Sequence, residues 1–424
     1  MDSETSKRTN LNNNKENLDE NQKDGNINDN SKIYESKSYS QYFTRKTFFI
    51  LFIVLIFSIY LIQVLIFHKT TTKTEIPFKS FSSVNKEKLN KTEAIIAKLK
   101  PNSSYKGPIF PDDGKITKEW VFELIDYMKD LEWKKPYKEK YLDKLNLLKM
   151  ISKAKSIFDK YDDSIININI PNNKNFTVVG DVHGQFYDLL NIFKINGYPS
   201  EDNPYLFNGD FVDRGVFSIE TITTLMAFKI LYPDHFFMNR GNHEDEEMNM
   251  RYGFESETID KYDLEVFECF SEFYKFLPLG HVLNKKVLVL HGGLFSKEGV
   301  TLNELKKIDR YIEVPMTGLM CELLWSDPRD ENGCKPSDRG AGVYFGPDVT
   351  EKFLNDNNLE LLIRSHETKM EGYEIQHGGK LITLFSAPNY CDSMGNKGAI
   401  IKFRGGEMEP NIIQFDASFH PDNF

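Results

Sequence analysis

Hydrophobic residues are distributed very unevenly along the chain of 424 residues. Residues 1–46 are polar and rich in Asn, and their apolar side chains follow neither a helical nor a strand period. Residues 47–67 are apolar almost throughout and carry no charge. At about 1.5 Å per residue, a helix of this length would reach about 30 Å, the thickness of a bilayer core. The pattern therefore predicts a disordered tail over 1–46 and a single transmembrane helix over 47–67.

Residues 68–104 are polar and basic, which predicts a linker beside the membrane. Helical spacing of apolar residues returns in 105–424, first from Thr117, a predicted N-cap, and then from Tyr141 onward. We therefore expect a single-pass membrane protein with one folded domain. Four basic residues lie just before 47–67 and three just after it, a small excess that favours a cytoplasmic tail and a lumenal folded domain. The few unpatterned Cys favour instead a cytosolic side for the folded domain, which is the orientation that we expect.

From about residue 175, short runs of Val, Ile, Leu and Phe repeatedly end in a polar residue that is able to bind a metal. A strand fixes the backbone and the following loop presents the side chain, so strand ends are suitable places for a site. Asp, His and Asn without Cys suit Mn, Fe or Zn better than Ca. Six residues form the predicted metal-ligand set: Asp181, His183, Asp210, Asn242, His291 and His366.

The alternative is that these residues are structural. A single His after a strand is commonly a hydrogen-bonded structural residue, which is how we interpret His281 and His377. Asp181 or Asp210 alone could cap a helix. Five successive strand ends of the same kind favour a metal site, although the pattern leaves the division of ligands open. The net charge of −10 argues against a nucleic-acid partner, and four Cys without CxxC spacing argue against a Cys-based zinc site.

The motifs also carry a family resemblance. Three blocks, GDVHG at 180–184, GDFVDRG at 209–215 and GNHE at 241–244, resemble the signature blocks of the phosphoprotein phosphatase family of metal-dependent Ser/Thr phosphatases. The later blocks HGG, WSDP and SAPNYC follow in the family's order. The likeness is strongest to the catalytic domain of the type 5 branch and extends from about Tyr105 to the C-terminus.

The resemblance implies an α/β fold of the metallophosphoesterase (calcineurin-like) type, a sandwich of two mixed β-sheets flanked by helices. It implies two divalent metal ions at the carboxyl ends of the strands, Mn in first place with Fe and Zn as alternatives. One ion is expected on Asp181, His183 and Asp210. The other is expected on Asp210, Asn242, His291 and His366.

The resemblance also implies roles for the substrate-facing residues. Arg214 and Arg339 are expected to hold the phosphoryl oxygens, and Tyr390 to line the cleft. His243, held by Asp213, is expected to protonate the departing Ser or Thr oxygen. The predicted function is therefore a membrane-anchored Ser/Thr protein phosphatase that acts on phosphoprotein substrates.

Two other functions compete with this prediction. A metallophosphoesterase acting on small phosphate esters or nucleotides would share the GDVHG block, but the later blocks favour the protein phosphatase. A non-catalytic binding module is disfavoured, because every catalytic motif position is intact. Type 5 enzymes carry tetratricopeptide repeats before the catalytic domain, whereas 1–104 shows no such repeat. We therefore expect no repeat-mediated chaperone binding.

Overall fold

A computed structural model describes residues 91–129 and 141–421. The predicted tail, the predicted transmembrane helix and the first part of the predicted linker lie outside these residues. The helices are α1 (Lys91–Ile96), α2 (Lys118–Lys129), α3 (Lys144–Phe158), α4 (Phe186–Asn196), α5 (Ser218–Leu231), α6 (Glu246–Tyr252), α7 (Phe254–Lys261), α8 (Leu264–Tyr274), α9 (Leu302–Lys306), α10 (Leu319–Trp325) and α11 (Pro347–Asp356). The strands are β1 (Ile165–Ile168), β2 (Asn175–Val179), β3 (Tyr205–Phe207), β4 (Phe236–Met238), β5 (Gly280–Leu283), β6 (Val287–Leu290), β7 (Asp327–Pro328), β8 (Cys334–Pro336), β9 (Val343–Phe345), β10 (Leu361–Arg364), β11 (Tyr373–Gln376), β12 (Leu381–Leu384), β13 (Gly398–Arg404) and β14 (Asn411–Phe415).

The first two predicted helical patterns are confirmed. Thr117 caps α2, since its Oγ1 accepts a hydrogen bond of 3.2 Å from the backbone N–H of Trp120. The helix buries Val121, Leu124, Ile125 and Met128, which share one face at helical spacing. In α3 the cap is the Asp143 side chain, which accepts from the N–H of Leu145.

Two mixed sheets form the centre of the fold. One has six strands in the order β1-β5-β6-β10-β12-β11, and the other has five in the order β14-β13-β2-β3-β4. Alternate side chains of each strand face opposite ways. Val178 and Leu206 therefore join Val289 and Ile363 in the apolar layer between the sheets, whereas Phe207 turns outward to pack against helices. The predicted sandwich of two mixed sheets flanked by helices is confirmed.

The sheet topology brings together the motifs that carry the predicted metal ligands. Strands β2, β3 and β4 are parallel neighbours in one sheet, and β6 and β10 are parallel neighbours in the other. A bridge between Asp181 and Phe385 links the end of β2 to the chain after β12 in the facing sheet. Because the carboxyl ends of parallel strands lie at one edge of a sheet, the predicted ligands from five loops meet at one edge of the sandwich.

The prediction of a single-pass membrane protein requires correction. The longest described helix, α3, has 15 residues, and at about 1.5 Å per residue it is shorter than a bilayer core of about 30 Å. It also contains several Lys. Within residues 91–129 and 141–421, no helix combines the length and the apolar character that a membrane span needs. The predicted span at 47–67 lies outside the described residues.

Part of the predicted linker belongs to the folded unit. Helix α1 lies within 68–104, and its Ile95 is 7% exposed in the main core. The Oγ1 of Thr92 donates a hydrogen bond of 3.0 Å to the Glu272 carboxylate in α8. That carboxylate also pairs with Lys155 of α3 at 2.7 Å, and both charged side chains are buried. The α1 helix is thus packed against α3 and α8.

Candidate metal centre

The loops that carry the predicted ligands have unusual backbone conformations. His183, Asp210 and His366 have positive φ angles of 40°, 52° and 71°. Such values are uncommon for residues other than Gly, and they cluster at functional sites. Gly209 has a φ of 89°, and a Cβ there would lie 2.6 Å from the Cα of Gly241. A larger residue would therefore separate the β3 and β4 loops.

The first group of ligands contains Asp181, His183 and Asp210. Nε2 of His183 lies 3.4 Å from Oδ2 of Asp210 and 3.8 Å from Oδ2 of Asp181. Nδ1 of His183 lies 2.9 Å from the carbonyl oxygen of Val212. With the proton held at Nδ1 by that carbonyl, the lone pair of Nε2 faces the two carboxylates.

The second group is arranged around His291. Its Nε2 lies 3.3 Å from Oδ1 of Asp210, 2.9 Å from Oδ1 of Asn242 and 3.3 Å from Nδ1 of His366. Its Nδ1 lies 2.8 Å from the carbonyl oxygen of Asn208. This contact orients the His291 ring, just as the carbonyl of Val212 orients the ring of His183. Asp210 therefore presents one carboxylate oxygen to each group.

The chemistry of these donors fits bound cations. All six predicted ligands are buried, and Nε2 of His366 has no hydrogen-bond partner among the residues that the structure describes. Burial raises the pKa of Asp181 to about 7 and lowers the pKa of His183 to about 3. Burial alone would lower the pKa of His291, but the neighbouring Asp210 carboxylate raises it to about 9. A bound divalent cation would take the place of the proton on His291. The set of nitrogen and oxygen donors suits Mn, Fe or Zn.

A polar cavity of about 310 Å³ opens over these groups. Arg214, Arg339 and Tyr390 line it together with the predicted ligands other than His291. The Arg214 guanidinium stacks on the ring of Tyr252 at 3.9 Å. Nε of Arg339 lies 2.5 Å from Oδ2 of Asp327. The structure thus places the three predicted substrate-facing residues around one cavity.

His243 and Asp213 form a buried pair at the wall of this cavity. Nδ1 of His243 lies 2.7 Å from Oδ2 of Asp213, and the ring itself lines the cavity. Burial alone would lower the pKa of His243, but Asp210 and the hydrogen bond to Asp213 raise it above its ordinary value. The imidazole is therefore biased toward the protonated form that an acid requires.

Sequence reasoning missed several supporting residues. The carboxylate of Glu244 accepts hydrogen bonds of 2.7–2.8 Å from the backbone N–H groups of Asp210, Phe211 and Gly241. It thereby fastens two ligand loops together. Its position as the last residue of the GNHE block could have identified it from the sequence. Asp327 also pairs with the fully buried Arg364 at 2.8 Å, which no sequence pattern indicated.

Three other polar residues near the motifs have buried hydrogen-bond partners and lie away from the cavity. Arg240, which directly precedes the GNHE block, is fully buried and donates hydrogen bonds to backbone carbonyls, including that of Glu244. His281 lies 2.6 Å from Oδ1 of Asn239, and His377 lies 2.8 Å from Oγ1 of Thr350. None of these three residues lines the cavity.

Comparison with known proteins places this geometry in a family. A family model described as calcineurin-like phosphoesterase matches residues 174–370. The chain is 60% identical over 259 residues to serine/threonine-protein phosphatase 5 of Arabidopsis thaliana. The match covers 61% of this chain and 48% of that protein. It is 50% identical over 318 residues to the human protein of the same name, with coverage of 75% and 62%. The chain thus spans about half to two thirds of the length of these relatives.

A solved structure covers the folded part. It is a Saccharomyces cerevisiae protein serine/threonine phosphatase, described as similar to human phosphatase PP5. The match has 41% identity and a TM-score of 0.67, and it covers 72% of this chain and 98% of that chain. The chain therefore belongs to the phosphoprotein phosphatase family, and its folded part is a catalytic domain of the type 5 kind.

Proposed function

We propose that the protein hydrolyses phosphoserine and phosphothreonine in phosphoprotein substrates with the help of two divalent metal ions. The observation that carries this proposal is the shared carboxylate of Asp210, which faces both ligand groups beneath a cavity lined by two arginines. Family membership supports a dinuclear metal site. Mn is the first choice for the ions, and Fe or Zn are the alternatives.

The ligands are assigned from the two groups. Asp181, His183 and Asp210 would hold one ion. Asp210, Asn242, His291 and His366 would hold the other. When bound, such a pair stabilises negative charge on phosphoryl oxygens and lowers the pKa of a coordinated water. The carbonyl oxygens of Val212 and Asn208 keep His183 and His291 in the tautomer that can ligate.

The two arginines would orient the phosphoryl group. A planar guanidinium can donate two parallel hydrogen bonds to phosphate oxygens. The ring of Tyr252 supports Arg214 from below, and Asp327 anchors Arg339 through Nε. Arg214 is held by one face and Arg339 by one edge, so each guanidinium keeps further N–H donors for the substrate. Tyr390 would close the cavity beside His183, with the two ring centres 5.1 Å apart.

His243 would supply the proton that the leaving oxygen needs. A Ser or Thr alkoxide is a poor leaving group, so proton transfer contributes strongly to the rate. Asp213 holds the proton at Nδ1 and thereby directs Nε2 of His243 into the cavity. The buried carboxylate also stabilises the imidazolium form before transfer.

Substrate comparison tests this proposal. The full-length protein would be stripped of metal, reloaded with Mn²⁺ and assayed with a phosphothreonine peptide, p-nitrophenyl phosphate and a dinucleotide. We expect turnover of the peptide that depends on metal, with no turnover of the dinucleotide. A preference for the dinucleotide would instead indicate the small-ester metallophosphoesterase. Absence of all turnover with two metals bound would contradict an enzymatic role.

A further inference from the structure

Asn249 is the one buried residue of the short helix α6, and it is polar. Its neighbour Met248 is half-buried and Met250 is exposed, so the helix runs along the surface. The Asn249 side chain points inward, although it does not line the cavity. Burying a polar amide is unfavourable unless hydrogen bonds replace those to water, which raises the question of its partners.

Nδ2 of Asn249 donates two hydrogen bonds. One, of 2.8 Å, reaches Oδ2 of Asp213, and the other, of 2.7 Å, reaches the backbone carbonyl of His243. A carboxylate oxygen and a carbonyl oxygen both accept hydrogen bonds, so the amide nitrogen of Asn249, and not its oxygen, must face them. One side chain thus contacts both members of the His243–Asp213 pair.

The same carboxylate oxygen serves two donors. Oδ2 of Asp213 also lies 2.7 Å from Nδ1 of His243. Oδ1, the other oxygen of the same carboxylate, accepts a hydrogen bond of 2.9 Å from the backbone N–H of Phe254. An ionised carboxylate has about four acceptor sites, so these bonds coexist. With both oxygens engaged, turning the carboxylate plane would break these hydrogen bonds, so they also hold the imidazole bonded to it. Within 91–129 and 141–421, His243 is the only other residue that bonds to Oδ2.

We propose that Asn249 is a positioning residue for the acid. It acts by fixing the Asp213 carboxylate and the backbone of His243, so that Nε2 of His243 stays directed at the leaving oxygen. This inference rests on the proposed acid role of His243. Asn249 itself touches neither the ligands nor the cavity, so its effect on rate passes entirely through the pair.

A merely structural role makes a different prediction. If Asn249 only stabilises α6, its removal lowers the melting temperature and reduces activity on every substrate equally. If it positions the acid, the loss depends on the leaving group. Threonine needs a proton when it departs, whereas p-nitrophenol, with its low pKa, does not.

The test uses the full-length protein loaded with Mn²⁺. Asn249→Leu keeps the side-chain skeleton that branches at Cγ and removes the donor, and Asn249→Ala removes the donor without adding bulk. We expect kcat for a phosphothreonine peptide to fall about tenfold and kcat for p-nitrophenyl phosphate to fall less than about threefold. Metal content, measured by mass spectrometry, should stay at the wild-type value. Met250→Ala, on the exposed side of the same helix, is the control and should change neither rate.

A double-mutant cycle separates the two roles. In the His243→Asn background, Asn249→Leu should change the peptide rate by less than about twofold, since the group that it positions is already absent. Equal losses on both substrates, or losses that multiply in the double mutant, would overturn the positioning role. If His243→Asn alone shows no leaving-group dependence, the acid assignment fails instead. A selective loss in His243→Asn without one in either Asn249 variant removes only the present inference.

Discussion

The backbone N–H of His243 donates a hydrogen bond of 3.0 Å to Oδ1 of Asp210. Asp210 is the carboxylate that faces both groups of proposed metal ligands, and His243 is the proposed acid. One side chain therefore links the position of the metals to the position of the proton donor. The two parts of the site are expected to respond together when Asp210 is changed and separately when His243 is changed.

Replacing a shared or central ligand should remove both metal and turnover. We expect Asp210→Asn and His291→Ala to lose at least one of two metal ions per chain and to lower the peptide rate at least about 100-fold. The loss of metal is measured as metal content by mass spectrometry, and the loss of turnover as the initial rate on the peptide. His377→Ala, which changes a His outside the site, should keep two ions. A His291→Ala variant with two ions and a near-normal rate would disprove the ligand assignment.

Removing the proposed acid should spare the metals. His243→Asn is expected to lower hydrolysis of a phosphothreonine peptide about 100-fold or more, while hydrolysis of p-nitrophenyl phosphate falls only a few-fold. The reason is that the aryl leaving group departs without a proton. Steady-state rates on both substrates check this, with metal content as the control. Losses of the same size on both substrates would argue against proton donation.

Helix α1 should contribute to the stability of the catalytic domain. Ile95 is buried in the main core at 7% exposure, whereas Ile109 is 68% exposed. We expect Ile95→Ala to cost about 2–4 kcal/mol, and so to lower the melting temperature by several degrees, while Ile109→Ala changes it little. Thermal unfolding of full-length variants provides the measurement. Identical melting curves for the two variants would mean that α1 is not part of the cooperative unit.

A buried lysine should give stability a measurable dependence on pH. Lys229 is fully buried, and its Nζ lies 2.7–2.9 Å from the hydroxyl oxygen of Tyr161 and the carbonyl oxygens of Pro233 and Phe236. Burial lowers its pKa to about 7, against an ordinary value of about 10.4. Between these values the unfolded chain binds more protons than the folded one, so the contribution of Lys229 to stability rises with pH.

Comparison with Lys229→Met isolates that contribution. The free energy of unfolding of the wild type, relative to the variant, should rise by up to about 1.4 kcal/mol per pH unit between pH 7 and 9. Chemical denaturation at pH 7, 8 and 9 provides the values. A difference between the two proteins that stays constant with pH would show that Lys229 remains charged in the folded state.

Much of the site could be predicted from the chain alone. Each loop with a predicted ligand follows a short apolar run that is rich in Val, Ile, Leu and Phe, and such a run specifies a strand through local preferences. The loop after it then presents Asp, His or Asn. The ligand set and the α/β sandwich follow from these local patterns together with the family motifs. The prediction of a membrane-spanning protein used the same kind of local hydropathy, and the described helices are too short or too polar to support it.

Tertiary structure decided what surrounds those residues. The N–H of His366 bonds to the Asp181 carboxylate across 185 positions of sequence, and the pairing of Asp327 with Arg364 spans 37. Asn249 reaches the Asp213 carboxylate from a helix in which every other residue is outside the core. Hydrophobic periodicity describes the environment of each residue along one strand or helix. Contacts between distant segments depend instead on sheet order and helix docking, which only the packed chain establishes.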